Sequence, residues 1–154
     1  MDKLSAAMQQ IIRDYSAGAV ATINDDGSPA VSPKATFVIV DERSLAYGNI
    51  RSPGTSANLR QRPAVEVVFL DLLARLAVRV RGRGRIVVRD SDDAAVLLPH
   101  FEALWSPYLE RIQEFVRIDI EACELITSPA YDAGFERAQL VRTNLDKLVR
   151  KYSE

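Results

Sequence analysis

Hydrophobic positions recur with two periods along this chain, and the changes of period mark out its elements. Leu4, Met8, Ile11 and Ile12 fall at helical spacing, with Asp2, Lys3, Gln9, Gln10 and Arg13 elsewhere on the wheel. That pattern predicts an amphipathic helix over about 2–15, ended by Ala17-Gly18. The apolar residues then follow the shorter β period. A strand over 19–24 runs into Asn24-Asp25-Asp26-Gly27-Ser28, a strong turn signal. A second strand over 30–40 carries Pro33, which implies an edge, a bulge or a missing ladder bond. Asp41-Glu42-Arg43-Ser44 turns the chain into a third strand over 45–50. Three strands joined by short turns predict an antiparallel meander.

Beyond residue 50 the character changes. Ser52, Pro53, Gly54 and Thr55 form a loop leading into a short helix over 56–61, stopped by Pro63. Strands follow over 65–70 and 76–88, separated by a turn over 71–75. Asp90-Ser91-Asp92-Asp93 is an N-cap cluster with acids where the helix dipole favours them. A helical stretch runs from it to about Ile112, with interruptions near Pro99 and Pro107. Val116, Ile118, Ile120 and Ala122 alternate with Phe115, Arg117, Asp119 and Glu121 in a last strand over 115–126, ended by Ser128-Pro129. The tail over about 136–152 sets Leu140, Leu145, Leu148 and Val149 on one side of a helix and charge on the other, which predicts docking on its own subunit or on a partner. These elements predict one mainly β (β+α) domain over 1–154. Its architecture is a closed or nearly closed antiparallel barrel of six strands with flanking helices.

Composition and charge narrow the function classes. The 154 residues are 47% hydrophobic and 27% charged, a globular mix long enough to bury a core. Twenty Lys and Arg against 21 Asp and Glu leave a formal net charge of −1, so the chain as a whole is not drawn to nucleic acid or to anionic membrane. No apolar run approaches a membrane span, and Met1-Asp2-Lys3-Leu4 lacks the apolar core of a signal peptide, so a cytoplasmic location is expected. Cys123 is the one cysteine, which excludes an intramolecular disulfide and a cysteine-cluster metal site; no metal is expected.

Several residues carry candidate chemistry. His100 is the one histidine and no nucleophile signature accompanies it, so it reads as a surface or packing residue, with haem ligation as the alternative. Cys123, in the last strand, reads as a buried, inert thiol. Arg75, Arg79, Arg81, Arg83, Arg85 and Arg89 share one parity and so one strand face. They read as a solvated outer face, one or two of them pairing acids across a subunit contact. Nucleic-acid binding is the alternative, but no aromatic is interleaved for base stacking. The loop at Ser52 to Thr55 exposes backbone N–H groups at the positive end of a helix, which suits a phosphate; Thr55 as a plain N-cap is the other reading. It is not a Walker A loop, since no Lys stands at the start of the helix. Ser32-Pro33-Lys34 is either an ordinary edge strand with a surface Lys, or a kinked edge that presents backbone groups to a planar heterocycle while Lys34 reaches a phosphate or ring carbonyl.

Taken in order, these segments resemble the FMN-binding split-barrel proteins, the pyridoxamine 5′-phosphate oxidase-like family, from about Gly18 to Tyr131. The similarity begins with Gly18-Ala19-Val20-Ala21-Thr22-Ile23 and the Asp25-Asp26-Gly27-Ser28-Pro29 turn. It continues through Val31-Ser32-Pro33-Lys34, Leu45-Ala46-Tyr47-Gly48-Asn49-Ile50 and Arg51-Ser52-Pro53-Gly54-Thr55, with Asn58-Leu59-Arg60 and Pro63. Ser52, Thr55, Asn58 and Leu59 fit the family's Ser-Pro/Gly-Lys-Thr-x-x-Asn-Leu pattern. Gly54 departs from it where the family often has a phosphate-binding Lys; Arg51, Arg60 or Lys34 would have to supply that cation.

The resemblance implies a six-stranded split barrel and a homodimer with two FMN sites at the subunit interface. It implies a phosphate near Arg51, Ser52, Thr55 and Asn58, and an isoalloxazine along Ser32, Pro33, Lys34, Asn49 and Ile50. Trp105 and Tyr108 are aromatic candidates for closing the site of the other subunit. The implied activity is that of an oxidoreductase passing hydride or electrons between NAD(P)H and a small-molecule acceptor. No catalytic side chain is marked, because the flavin does the chemistry. The tail lacks the Arg and His substrate-binding pattern of a true pyridoxamine phosphate oxidase. The alternatives are an F420-dependent reductase of the same fold, for which Lys34, Arg51, Arg60 and Arg62 would begin a basic groove, and a non-catalytic flavin- or haem-binding module.

Overall fold

The computed structural model describes residues 2–153. Residues 2–5 lie outside any helix, with the Leu4 N–H donating to Glu42 O, so α1 (Ala6–Tyr15) starts later than the apolar spacing implied. Ser5 is its N-cap, accepting the Met8 N–H at Oγ, and Ser16 closes it in the left-handed conformation.

Seven strands follow rather than six: β1 (Gly18–Ile23), β2 (Pro29–Lys34), β3 (Phe37–Asp41), β4 (Ser44–Asn49), β5 (Ala64–Asp71), β6 (Leu76–Val88) and β7 (Glu114–Thr127). They form one antiparallel sheet in the order β2-β1-β5-β6-β7-β4-β3. The expected strand over 30–40 is therefore two strands, and the expected meander is two separate hairpins. Only Ala35 and Thr36 separate β2 from β3, yet these strands hold opposite edges of the sheet. Three residue steps span at most about 10 Å, so the sheet has to curl until its two edges meet. The result is a barrel that is split between β2 and β3. At the split, Thr36 Oγ1 donates to Gly48 O at 2.8 Å and accepts the Gly48 N–H at 3.1 Å, standing in for a ladder partner before β3 begins. Pro33 sits in β2, the edge strand, where a missing N–H is tolerated.

The barrel interior is apolar, with Phe37 lying against Tyr47 and Phe69 at ring-centroid distances of 5.2 and 4.7 Å. Each such pair adds about 0.5–1.5 kcal/mol beyond its buried area. Along β6 the alternation holds as read: Val78 and Val80 are buried while Arg79, Arg81, Arg83 and Arg85 are exposed. Two of them meet acids of this chain. Arg79 pairs with Glu66 and Glu124, and Arg85 with Asp93. Arg89 leaves the solvated face and donates to Ile112 O at 2.6 Å and to Leu109 O.

The helices lie between and after the strands. α2 (Pro53–Gln61) begins earlier than expected because Pro53 takes the first helical position. α3 (Asp92–Trp105) starts at Ser91, whose Oγ accepts the Ala94 N–H, and buries Ala94, Leu97 and Phe101 in a second apolar cluster against Val87, Ile112 and Phe115. It runs unbroken through Pro99, since the carbonyl that Pro99 leaves without a donor belongs to exposed Ala95. Pro107 does end the α-helix, in a 3₁₀ turn (Ser106–Arg111). After β7 come a single turn, α4 (Pro129–Asp132), and α5 (Arg137–Tyr152). α5 is fixed near its start by Arg137 beside Asp71 and by buried Asn144, whose Nδ2 donates to Leu73 O at 2.9 Å; beyond Asn144 its residues are exposed. Among the described residues no helix is long and apolar enough to cross a membrane. Cys123 is half-buried rather than buried, and desolvation, helped by the charge of Asp2, pushes its thiol pKa up.

Candidate functional site

The split and the loop that follows β4 converge on one place. Asn49, the last residue of β4, accepts the Ser52 N–H at Oδ1 (3.1 Å) and returns its Nδ2 to Ser52 O (3.2 Å) and Ser56 Oγ (2.5 Å). This side chain folds the loop back and makes Ser52 the N-cap of α2; the Thr55 reading is superseded. The Ser52 hydroxyl does not cap the helix. It accepts instead from Lys34 Nζ at 2.8 Å, across the split.

Lys34 is 8% exposed. Its ammonium also reaches the Ser32 hydroxyl and lies 3.4 Å from Pro33 O and 5.9 Å from the centre of the Tyr47 ring. Among the described residues no carboxylate pairs with it. Glu114 of β7 stands near Asn49 but is held by Arg60. Burial alone pushes the Lys34 pKa below its ordinary value. A buried cation that meets only hydroxyls, a carbonyl and an aromatic face is costly unless an anion completes it.

A cleft of about 630 Å³ opens beside this group, lined by Asn49, Ile50, Arg51, Ser52, Ser56 and Glu114. That is a volume suited to a small molecule of mononucleotide size. The amides of Gly54 and Thr55 lie in the first turn of α2, where no intrahelical acceptor exists for them. A Cβ on Gly54 would meet nothing within 4 Å, so the loop is open on that side. Arg51 is exposed and has no carboxylate partner among the described residues, whereas Arg62 is paired with Asp25 at 2.9 Å.

The sequence-derived residues thus fall into two sets. Ser32, Pro33, Lys34 and Ser52 meet at the split, and Asn49, Ile50 and Arg51 surround the adjoining cleft. Thr55 is buried in the first turn of α2. Asn58, expected near a phosphate, turns towards the β1 side. Its Nδ2 donates to Thr22 Oγ1 (3.0 Å) and Asn24 Oδ1 (2.9 Å), so both amide protons are spent holding α2 to β1. Trp105 donates from Nε1 to Phe37 O of the same chain at 3.2 Å, while Tyr108 stays exposed. His100 lies elsewhere, half-buried in an apolar groove with Phe37, Ile39, Ala103 and Leu104.

Sequence reasoning missed Glu114, Ser56 and Tyr47. Glu114 comes to Asn49 only through the β4–β7 register, which no local pattern encodes. Tyr47 is fully buried, and its hydroxyl has no hydrogen-bond partner. Desolvation, then the charge of Glu114, holds its phenol well above the ordinary range. Tyr47→Phe is therefore expected to leave thermal stability unchanged or to raise it by about 1 kcal/mol, since an unsatisfied buried hydroxyl is removed without a change of shape. A loss of that size in a melting experiment would instead show that the hydroxyl is satisfied.

The family model for pyridoxamine 5′-phosphate oxidase matches residues 4–126. No curated protein matches the chain. Among solved structures, HupZ of Group A Streptococcus is 20% identical, with 81% of this chain and 95% of that one covered and a TM-score of 0.66. HutZ, the haem storage protein from Vibrio cholerae, is 17% identical over 82% of this chain and 95% of its own, with a TM-score of 0.66. An F420 reductase is 18% identical over 79% of this chain and 98% of its own, with a TM-score of 0.61. At such identities the likeness is one of fold. With the sequence match over 4–126 and a sheet that curls until it splits between β2 and β3, this chain belongs to the pyridoxamine 5′-phosphate oxidase family.

Proposed function

We propose that this chain is a single FMN-binding unit that pairs with a second copy and acts as an oxidoreductase between NAD(P)H and a small-molecule acceptor. The observation that carries this reading is Lys34, a buried ammonium that meets two serine hydroxyls and no acid among the described residues, one of those serines being Ser52 of the cleft wall. Lys34, Ser52 and the Gly54 and Thr55 amides would hold an anionic group at the start of α2. Ser32 keeps the ammonium aimed across the split, and Asn49 fixes the loop. Ile50 offers an apolar wall beside the loop, and exposed Tyr108 of the second copy is free to close it. When bound, FMN supplies reversible hydride and single-electron chemistry.

F420 carries a long acidic tail and calls for a run of free cations. Of the arginines near the cleft, Arg60 and Arg62 are already neutralised by Glu114 and Asp25, which leaves Arg51. This favours the shorter ligand.

The test is an absorbance spectrum of the purified protein before and after addition of FMN, F420 or haem, each followed by gel filtration. A retained flavin band near about 450 nm that NADH or NADPH bleaches supports the proposal. Retention of F420 alone, of haem alone, or of nothing overturns it. Gly54→Lys restores the cation that the family pattern places there, at a position with room for a side chain. It is expected to tighten FMN by about tenfold with no loss of melting temperature, the worth of one added charged contact to phosphate. Equilibrium dialysis against FMN checks it.

A further inference from the structure

We propose that the outer half of α5 docks on the exposed face of α3 of a second copy of this chain, so that two equivalent contacts related by a twofold axis join the subunits. The proposal rests on the second copy in the reading above, and not on the cofactor.

Three observations lead there. First, α5 is anchored only as far as Asn144, and beyond it Leu145, Leu148, Val149 and Tyr152 are 45%, 41%, 56% and 78% exposed. Their spacing of three and four residues places them on one side of the helix. An apolar stripe of this kind on a projecting helix asks for a covering surface. Second, α5 is basic: Arg137, Arg142, Lys147, Arg150 and Lys151 stand against Asp146 alone. Two copies of α5 would therefore repel each other. Third, α3 has the complementary character. It contains no Lys or Arg, and of its acids Asp93 is paired with Arg85 while Asp92 and Glu102 are exposed and unpaired among the described residues; Val96 and Leu104 on its outer side are 60% and 61% exposed. A mainly apolar groove that includes Phe37, Ile39, Pro99, Ala103 and Leu104 adjoins that side, with Arg13 its one cation, so the acids that would meet a basic helix are those of α3 itself. A basic apolar helix and an acidic apolar helix on one chain, both uncovered, match each other when exchanged between two copies.

Charge reversal tests this directly. One variant carries Lys147→Glu and Lys151→Glu, the other Asp92→Lys and Glu102→Lys, all at exposed positions. Each alone sets like charge against like in both contacts, and sedimentation velocity is expected to show dimer affinity at least about tenfold weaker. Mixed in equal amounts, the two variants regain opposite charge in both contacts, and wild-type affinity returns. A dimer unaffected by either variant, or a mixture that does not recover, overturns the contact while leaving the second copy in place. A wild-type chain that is monomeric at every concentration overturns both. As a check that does not depend on charge, Leu104→Cys and Leu148→Cys are combined with Cys123→Ser. A disulfide between chains is expected on mild oxidation. A disulfide within one chain, or none, overturns the proposal, as does a monomer that binds vesicles of anionic lipid through α5.

Discussion

Replacing Lys34 by Met is expected to raise the stability of the ligand-free protein and to weaken FMN binding by about a hundredfold. The two effects have one origin. The ammonium is 8% exposed and has two hydroxyls and a carbonyl, but no carboxylate among the described residues, to offset its desolvation. Removing it relieves about 1 kcal/mol in the empty site. It also removes a charged contact to an anion worth about 2–3 kcal/mol, which converts to the hundredfold loss. The pH dependence follows in sign. Because burial lowers the Lys34 pKa, the folded chain binds this proton less tightly than the unfolded one, whose Lys keeps its ordinary value of 10.5. The penalty is fully present below the lowered pKa and fades as pH rises through it towards 10.5. Wild type should therefore gain stability over that interval relative to Lys34→Met. Urea unfolding of both proteins along a pH series, with FMN dialysis beside it, measures both arms. A variant that loses stability as well as affinity would mean that the ammonium is satisfied within the fold.

Gly82→Ala is expected to be the most damaging single methyl in the chain, costing about 3 kcal/mol or more. Gly82 sits where the β6–β7 register shifts, and a Cβ there would lie 2.1 Å from Asp119 O and 3.1 Å from Asp119 C. Those are backbone atoms of the paired strand, so relief requires β6 and β7 to separate. Gly84, two residues on, makes a fitting control. Its Cβ would meet side-chain atoms, Leu59 Cδ2 at 3.0 Å and Val65 Cγ1 at 3.6 Å, and about 1 kcal/mol is expected for Gly84→Ala. Urea midpoints of the two variants decide the matter, since equal losses would remove the case for a rigid contact at Gly82.

Much of the fold is legible in the sequence wherever the cause is local. Asn24 to Ser28 turns because Gly27 takes a positive φ and Asp26 Oδ1 accepts the Ser28 N–H. Ser91 caps α3, and the odd-numbered arginines of β6 face out because strand side chains alternate. The break at Ala35-Thr36 has no such signature. Neither residue is a turn former, and what separates β2 from β3 is the curl of the whole sheet. The site divides along the same line. Ser32, Lys34 and Ser52 carry recognisable chemistry in sequence, but the two serines are 20 residues apart and meet only because the split brings the β2 edge to the start of α2. Asn58 turns to Thr22 and Asn24 of the β1 side, a choice that spacing does not encode, because it cannot tell which way a helical side chain points when two polar surfaces compete for it.

The strand order has a consequence for how the chain is made. The β3–β4 hairpin joins the sheet through β7 alone, and β7 lies between β4 and β6. During synthesis β4 is complete at Asn49, but its partner is not complete until Thr127. At about 5–20 residues per second the hairpin waits for roughly 4–16 s with one edge unpaired, beside a half-barrel of β1, β2, β5 and β6 that cannot yet close. Translation across α3 and the 3₁₀ turn thus sets how long the nascent chain shows an open strand edge to its neighbours, and rare codons there would lengthen its exposure to aggregation.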